Sequence, residues 1–110
     1  MKKIYTKEEL DAELKKSKKL LALFYASWCP FCVGFVSKFD EKVASLGIQN
    51  VVHVLLDDYD SPLWDDYDIP AVPTVIFFTD SNVCKRLNAK LGKGLSEDRF
   101  VSWIEELKSN

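Results

Sequence analysis

Apolar positions follow two different rhythms along this chain, and the places where the rhythm changes mark its elements. In "LLALFYA" (20–26) and "VVHVLL" (51–56) the apolar residues occupy odd and even positions alike. That pattern suits central strands covered on both faces. "PTVIFFT" (73–79) reads as a strand, and "DSN" turns it into a second strand around "VCKRLNA" (83–89). A short opening strand, "KIY", precedes Thr6, which starts a helix with Glu9 completing a capping box and Leu10 and Leu14 facing inward. From Pro30 to Leu46 the period becomes helical. Cys32, Val36, Phe39, Val43 and Leu46 are expected on one buried face, with Gly47 as the stop. Ser61 and Pro62 predict the N-cap and first position of a short helix running to about Tyr67. Ser96 caps a last helix whose inward stripe is Phe100, Trp103, Ile104 and Leu107.

The element order is therefore β-α-β-α-β-α-β-β-α. The first three strands alternate with helices, which implies parallel pairing through right-handed crossovers, and the last two form an antiparallel hairpin. The expected class is α/β, a mixed β-sheet with helices on both faces. With 110 residues and no linker, repeat or low-complexity tract, the chain is read as one domain over 1–110.

Composition narrows the function. Hydrophobic residues make up 47% and charged residues 29%, enough apolar surface for a core without staples. A net charge of −2 argues against a phosphate-binding surface, so no nucleic acid is expected. The basic cluster "LKKSKK" (14–19) reads as a solvated helix end. "MKKIYTKEEL" lacks an apolar core and a small-residue cleavage site, and "LLALFYA" is too short to cross a bilayer. A cytoplasmic monomer with no membrane association is the expectation. Structural disulfides are rare in that compartment, and three cysteines cannot all pair.

The chemistry gathers in "FYASWCPFCVGF" (24–35), where Cys29 and Cys32 follow an apolar strand. Three readings compete. The two could be buried small hydrophobes, or, with Cys84 and His53, a Cys₃His zinc set, or a redox pair. Placement favours the last. Pro30 is suited to the first helical position, which puts Cys29 at the N-cap, where free amides and the helix dipole favour a thiolate. Cys32, one turn on, is expected to be the more buried sulfur. Cys29 would then attack a partner disulfide from the solvent side, and Cys32 would resolve the mixed disulfide. The bland readings are a core or sheet-edge position for His53, a place on the solvated face of an edge strand for Cys84, a helix anchor for Trp64 and a solvated turn for "DDYDSPLWDDYD" (57–68).

"WCPFC" between strand and helix, followed by "AVPT" (71–74) opening a later strand, resembles the thioredoxin superfamily over essentially the whole chain. The resemblance implies a thioredoxin-like fold and thiol–disulfide exchange with protein disulfides, most simply as a reductant. It implies no cofactor and no metal, and a reductase or low-molecular-weight thiol as electron donor. Pro73 would be a cis-proline beside the active cysteine, Val72 would offer its backbone to an extended substrate, and Trp28 would shape the rim. Pro30 and Phe31 would tune the potential, and Gly92 or Gly94 would be a loop glycine near the site. The pattern is also broken. Leu23 stands where the family has a buried Asp, Val54 (by ungapped alignment) where it has the partner Lys, and Ser37 where it has a helix proline. The Pro30-Phe31 dipeptide is similar to that of glutaredoxins, so a glutathione-linked enzyme is the alternative, against which Trp28 and Ala71 stand. The lost Asp/Lys pair leaves a binding or adaptor module as a third reading.

Overall fold

The computed structural model describes residues 2–109. Its elements are β1 (Lys2–Ile4), α1 (Lys7–Lys16), β2 (Lys19–Tyr25), α2 (Pro30–Ser45), β3 (Val51–Leu55), α3 (Leu63–Asp66), β4 (Thr74–Thr79), β5 (Asn82–Asn88) and α4 (Glu97–Ser109). The strands form one sheet in the order β1-β3-β2-β4-β5. β3 lies parallel to both β1 and β2, whereas β4 runs antiparallel to β2 and to β5.

Side chains alternate across a strand, so register decides which residues share a face. Leu23 lies beside His53 and Val75, and Phe24 beside Val54 and Thr74. On the first face sits α2, whose Phe39 meets the His53 ring with centroids 6.1 Å apart. α4 joins it there through Phe100, 5.3 Å from both Phe35 and Phe39. On the second face Tyr67, at the end of α3, packs on Phe24 and Phe78. α1 lies on this face too, with Glu13 paired to Lys2. β2, in the middle, is buried from Leu20 to Tyr25, as its unbroken apolar run requires.

Local chemistry explains where the helices start and stop. The Thr6–Glu9 capping box is complete: Thr6 Oγ1 accepts from the Glu9 amide and the Glu9 carboxylate accepts from the Thr6 amide. Gly47, at φ +71°, turns the chain out of α2 in the left-handed region that glycine enters freely. Two expectations are corrected. Phe35 joins the buried face of α2, with its ring 5.3 Å from Phe100 of α4, while Val36 and Leu46 pack against the core only half-buried. α3 begins at Leu63, with Pro62 as its N-cap residue and Ser61 Oγ accepting from the Leu63 amide, one position later than "SP" suggested. Trp64 anchors this segment, its indole donating to the Asp58 carbonyl.

Candidate active site

β2 ends at Tyr25 and α2 begins at Pro30, with four residues between them. This short connection carries the chemistry. Cys29 is the N-cap residue of α2, in extended conformation, with Pro30 in the first turn. The Cys29 amide donates to the Ala26 carbonyl (3.2 Å) and the Cys32 amide to the Cys29 carbonyl (3.1 Å), so both cysteines hang on a tight turn. They are present as free thiols.

Cys29 is 3% exposed and Cys32 2%. The expectation that the first sulfur faces solvent is thus corrected: it lies at the helix mouth, but under cover. The Val72 carbonyl stands 3.8 Å from Cys29 Sγ and accepts from the thiol. What separates the two sulfurs is their surroundings. Burial pushes the Cys32 thiol up to about 12, and a hydrogen bond with Cys29 adds to this; a backbone hydrogen bond from Ala26 works the other way. Cys32 is held as a thiol because a thiolate there would lose its hydration with little in return.

The sequence brought other residues to this place, and the structure puts them around the pair. Val72–Pro73 is a cis peptide bond. Trp28, just before Cys29, is 44% exposed, and Phe31, between the two cysteines, is 45% exposed. The two glycines separate. A Cβ on Gly92 would meet nothing within 4 Å, whereas one on Gly94 would come within 2.8 Å of Phe31 Cβ. Gly94 is therefore the glycine that lets the 90–94 loop close on the Cys-Pro-Phe-Cys turn. Its backbone is tied to Lys90 in both directions at 2.9 Å.

Several contributors escaped the sequence reading. Asp57 accepts from the Ser27 amide (2.7 Å) and the Ser27 hydroxyl (2.8 Å), and its carbonyl accepts from the Trp28 indole (3.1 Å). It fixes the residues just before Cys29. Tyr59, 75% exposed, stacks on Trp28 with ring centroids 4.8 Å apart. The available signal was topological: β2 and β3 are parallel neighbours, so the residues following each must meet at the same end of the sheet.

The assignment at Val54 is corrected as well. Val54 pairs with Phe24 and faces away from α2; His53 is the residue beside Leu23. Alternation on the strand makes a one-residue error in alignment a change of face. His53 is buried, but it has partners: its Nδ1 is 3.0 Å from the Tyr25 hydroxyl and its Nε2 is 2.8 Å from Asp40 Oδ1. It takes no part in a zinc set, for among the described residues no cluster of three or more His, Cys, Asp or Glu side chains could hold a metal. Cys84 is exposed on β5, at the point where the β4–β5 register slips between Phe77 and Phe78.

An open five-stranded mixed sheet with a dithiol at the N-terminus of a helix beside a cis X–Pro bond defines a thiol–disulfide oxidoreductase fold. Residues 1–106 match the family model Thioredoxin, and the chain belongs to that family. It is 35% identical over 86 residues to Thioredoxin of Mycoplasmoides gallisepticum, spanning 78% of this chain and 85% of that protein. It is also 29% identical over 99 residues to Protein disulfide-isomerase of Hordeum vulgare, which covers 89% of this chain but only 18% of that longer protein. Among solved structures, Plasmodium falciparum thioredoxin superposes with a TM-score of 0.79 at 18% identity, over 96% of this chain and 98% of that one. The protein is a thioredoxin-family thiol–disulfide oxidoreductase. No helix among the described residues is long and apolar enough to cross a membrane.

Proposed function

We propose that the protein reduces disulfides in polypeptide substrates, with Cys29 as the attacking sulfur and Cys32 as the resolving one. The unequal setting of the two thiols carries this reading. Burial pushes Cys32 up to about 12 and keeps it a thiol, whereas Cys29 occupies the helix N-cap, where free amides and the helix dipole face a developing negative charge. The Cys29 thiolate attacks one sulfur of the substrate, the substrate S–S bond breaks, and its other sulfur leaves with the electron pair. Cys32 then attacks Cys29 Sγ, releases the reduced substrate and closes the Cys29–Cys32 disulfide. A reductase or low-molecular-weight thiol returns two electrons.

The surroundings fit an extended polypeptide. Ionisation of Cys29 releases the Val72 carbonyl from its thiol donor, leaving it free to accept from a substrate amide in the manner of an added strand. Trp28, Val72 and Pro73 would line the substrate path, and Pro30 and Phe31 would set the environment of the couple. The protein would act as a cytoplasmic monomer, away from nucleic acid and membrane.

Insulin reduction by dithiothreitol is the test. The wild-type protein should accelerate it, Cys29→Ser should abolish the effect, and Cys32→Ser should trap a mixed disulfide on Cys29. A wild-type rate no faster than that of Cys29→Ser would refute the reading.

A further inference from the structure

The resolving step raises a problem that the cysteine pair does not solve. Cys32 must lose its proton to attack, yet it is buried among apolar side chains. Among the described residues, the other buried side chains that titrate are Tyr25 and His53. They are bonded to each other, and Asp40 of α2 connects them to the surface.

The direction of these bonds follows from their chemistry. A carboxylate only accepts, so His53 Nε2 carries a hydrogen and donates to Asp40 Oδ1 at 2.8 Å. His53 Nδ1 is then the acceptor and receives the Tyr25 hydroxyl at 3.0 Å. The Tyr25 oxygen keeps lone pairs that can take a proton, while its own proton already points at a base. Asp40, with its side chain 40% exposed, is the outlet to water. Tyr25 shares a sheet face with Leu23 and His53, and the buried side of α2 covers that face: Cys32 and Phe39 lie on this side, and Phe39 meets the His53 ring. The ring of His53 is fixed edge-on between Tyr25, at 5.3 Å, and Phe39. Other charged or titratable groups on this face are Lys3, opposite His53 in the β1–β3 register, together with Tyr5 and Asp57 near Tyr25.

Resting on the reductase reading above, we propose that Tyr25, His53 and Asp40 form a relay that takes the Cys32 proton during the resolving attack and delivers it to solvent. As Cys32 Sγ bonds to Cys29 Sγ, its proton passes to the Tyr25 oxygen and the tyrosine proton passes to His53 Nδ1. The bond from Cys29 to the substrate sulfur breaks, and that sulfur leaves with the electron pair. The doubly protonated imidazole, held by the Asp40 carboxylate, returns its extra proton to water. In this step Tyr25 takes the proton from the reacting thiol itself, and His53 and Asp40 act through Tyr25 as relay groups.

The test uses the full chain in a Cys84→Ser background, reduced and mixed with excess dithiobis(nitrobenzoate) between about pH 5 and 9. The first thionitrobenzoate released reports attack by Cys29, and the second reports resolution by Cys32. With the relay intact, the second phase should rise with pH less steeply than attack by an unassisted thiol, which must wait for hydroxide to take its proton. His53→Gln should slow the second phase about 10- to 100-fold at pH 7 and steepen its rise with pH. Tyr25→Phe should slow it comparably. Asp40→Asn, on the partly exposed side of α2, should also slow the second phase at pH 7, because the carboxylate that holds the proton-loaded ring is gone. A His53→Gln that unfolds leaves Asp40→Asn to decide. A second phase whose rate and pH profile are the same in folded variants as in the unmodified relay overturns the proposal. Absence of the first phase instead defeats the reductase reading.

Discussion

At the scale of single residues, the buried Cys32 thiol makes alkaline stability a readout of the site. Its folded value of about 12 exceeds its ordinary value of 9.0, so the folded state binds the proton more tightly than the unfolded chain. The contribution is fully present below about pH 9 and is lost as pH rises from there through about 12. Tyr25 and Tyr67, also pushed up by burial, slope the same way, so the comparison must isolate the cysteine. Reduced wild type should lose urea stability faster than reduced Cys32→Ala between pH 8 and about 10.5; parallel curves would contradict the burial argument. Gly94 gives a second residue-scale prediction. At φ +73°, with Phe31 in the way of a Cβ, Gly94→Ala must strain the backbone and displace the ring. It should cost about 2 kcal/mol or more in urea unfolding and slow insulin reduction, whereas Gly92→Ala, with open space around it, should cost only about 1 kcal/mol of backbone strain.

At the scale of elements, the decisive arrangement is the end of β3 holding the end of β2. Asp57 gathers Ser27 and Trp28 through three hydrogen bonds, and so sets the entry into α2 on which Cys29 sits. Asp57→Ala should lower stability by about 1–2 kcal/mol, given that the site is exposed, and raise KM for insulin several-fold. Asp57→Asn keeps an acceptor for the Ser27 amide and should fall between. The Trp28 indole bonds the main-chain carbonyl, which alanine keeps, so an Ala variant with unchanged KM would show that the two Ser27 bonds do not set the substrate rim. Most elements were legible because each satisfies its own local rule: the Thr6–Glu9 box, proline after Cys29, glycine after α2. The errors came where a neighbour decides. How deeply Phe35 and Val36 are each buried depends on where α4 lies, and "SPLW" could start its helix at either of two adjacent positions.

At the scale of the whole molecule, α2, α4 and β3 meet at Phe39, which touches Phe35, Phe100 and His53. It is completely buried. Phe39→Ala should cost about 3–5 kcal/mol in urea unfolding, and it should also loosen the imidazole that Phe39 backs. Leu10, equally buried but under the opposite face, provides a control: its truncation should lower stability while leaving the pH profile of the resolving step in place.

What the sequence determined by itself was everything encoded by short-range rules: the number and order of elements, the α/β class, and the placing of Cys29 and Cys32 at a strand-to-helix turn. Apolar period, caps and proline act within a few residues, so they are readable without knowing the partner. The tertiary structure alone decided that β1 and β2 flank β3, that Asp57 and Tyr59 reach Trp28, and that His53 rather than Val54 lies beside Leu23. It also decided that Val72 covers the first sulfur. Each of these depends on register and burial between segments far apart in the chain, where a shift of one residue exchanges the two faces of a strand and no local preference resists it.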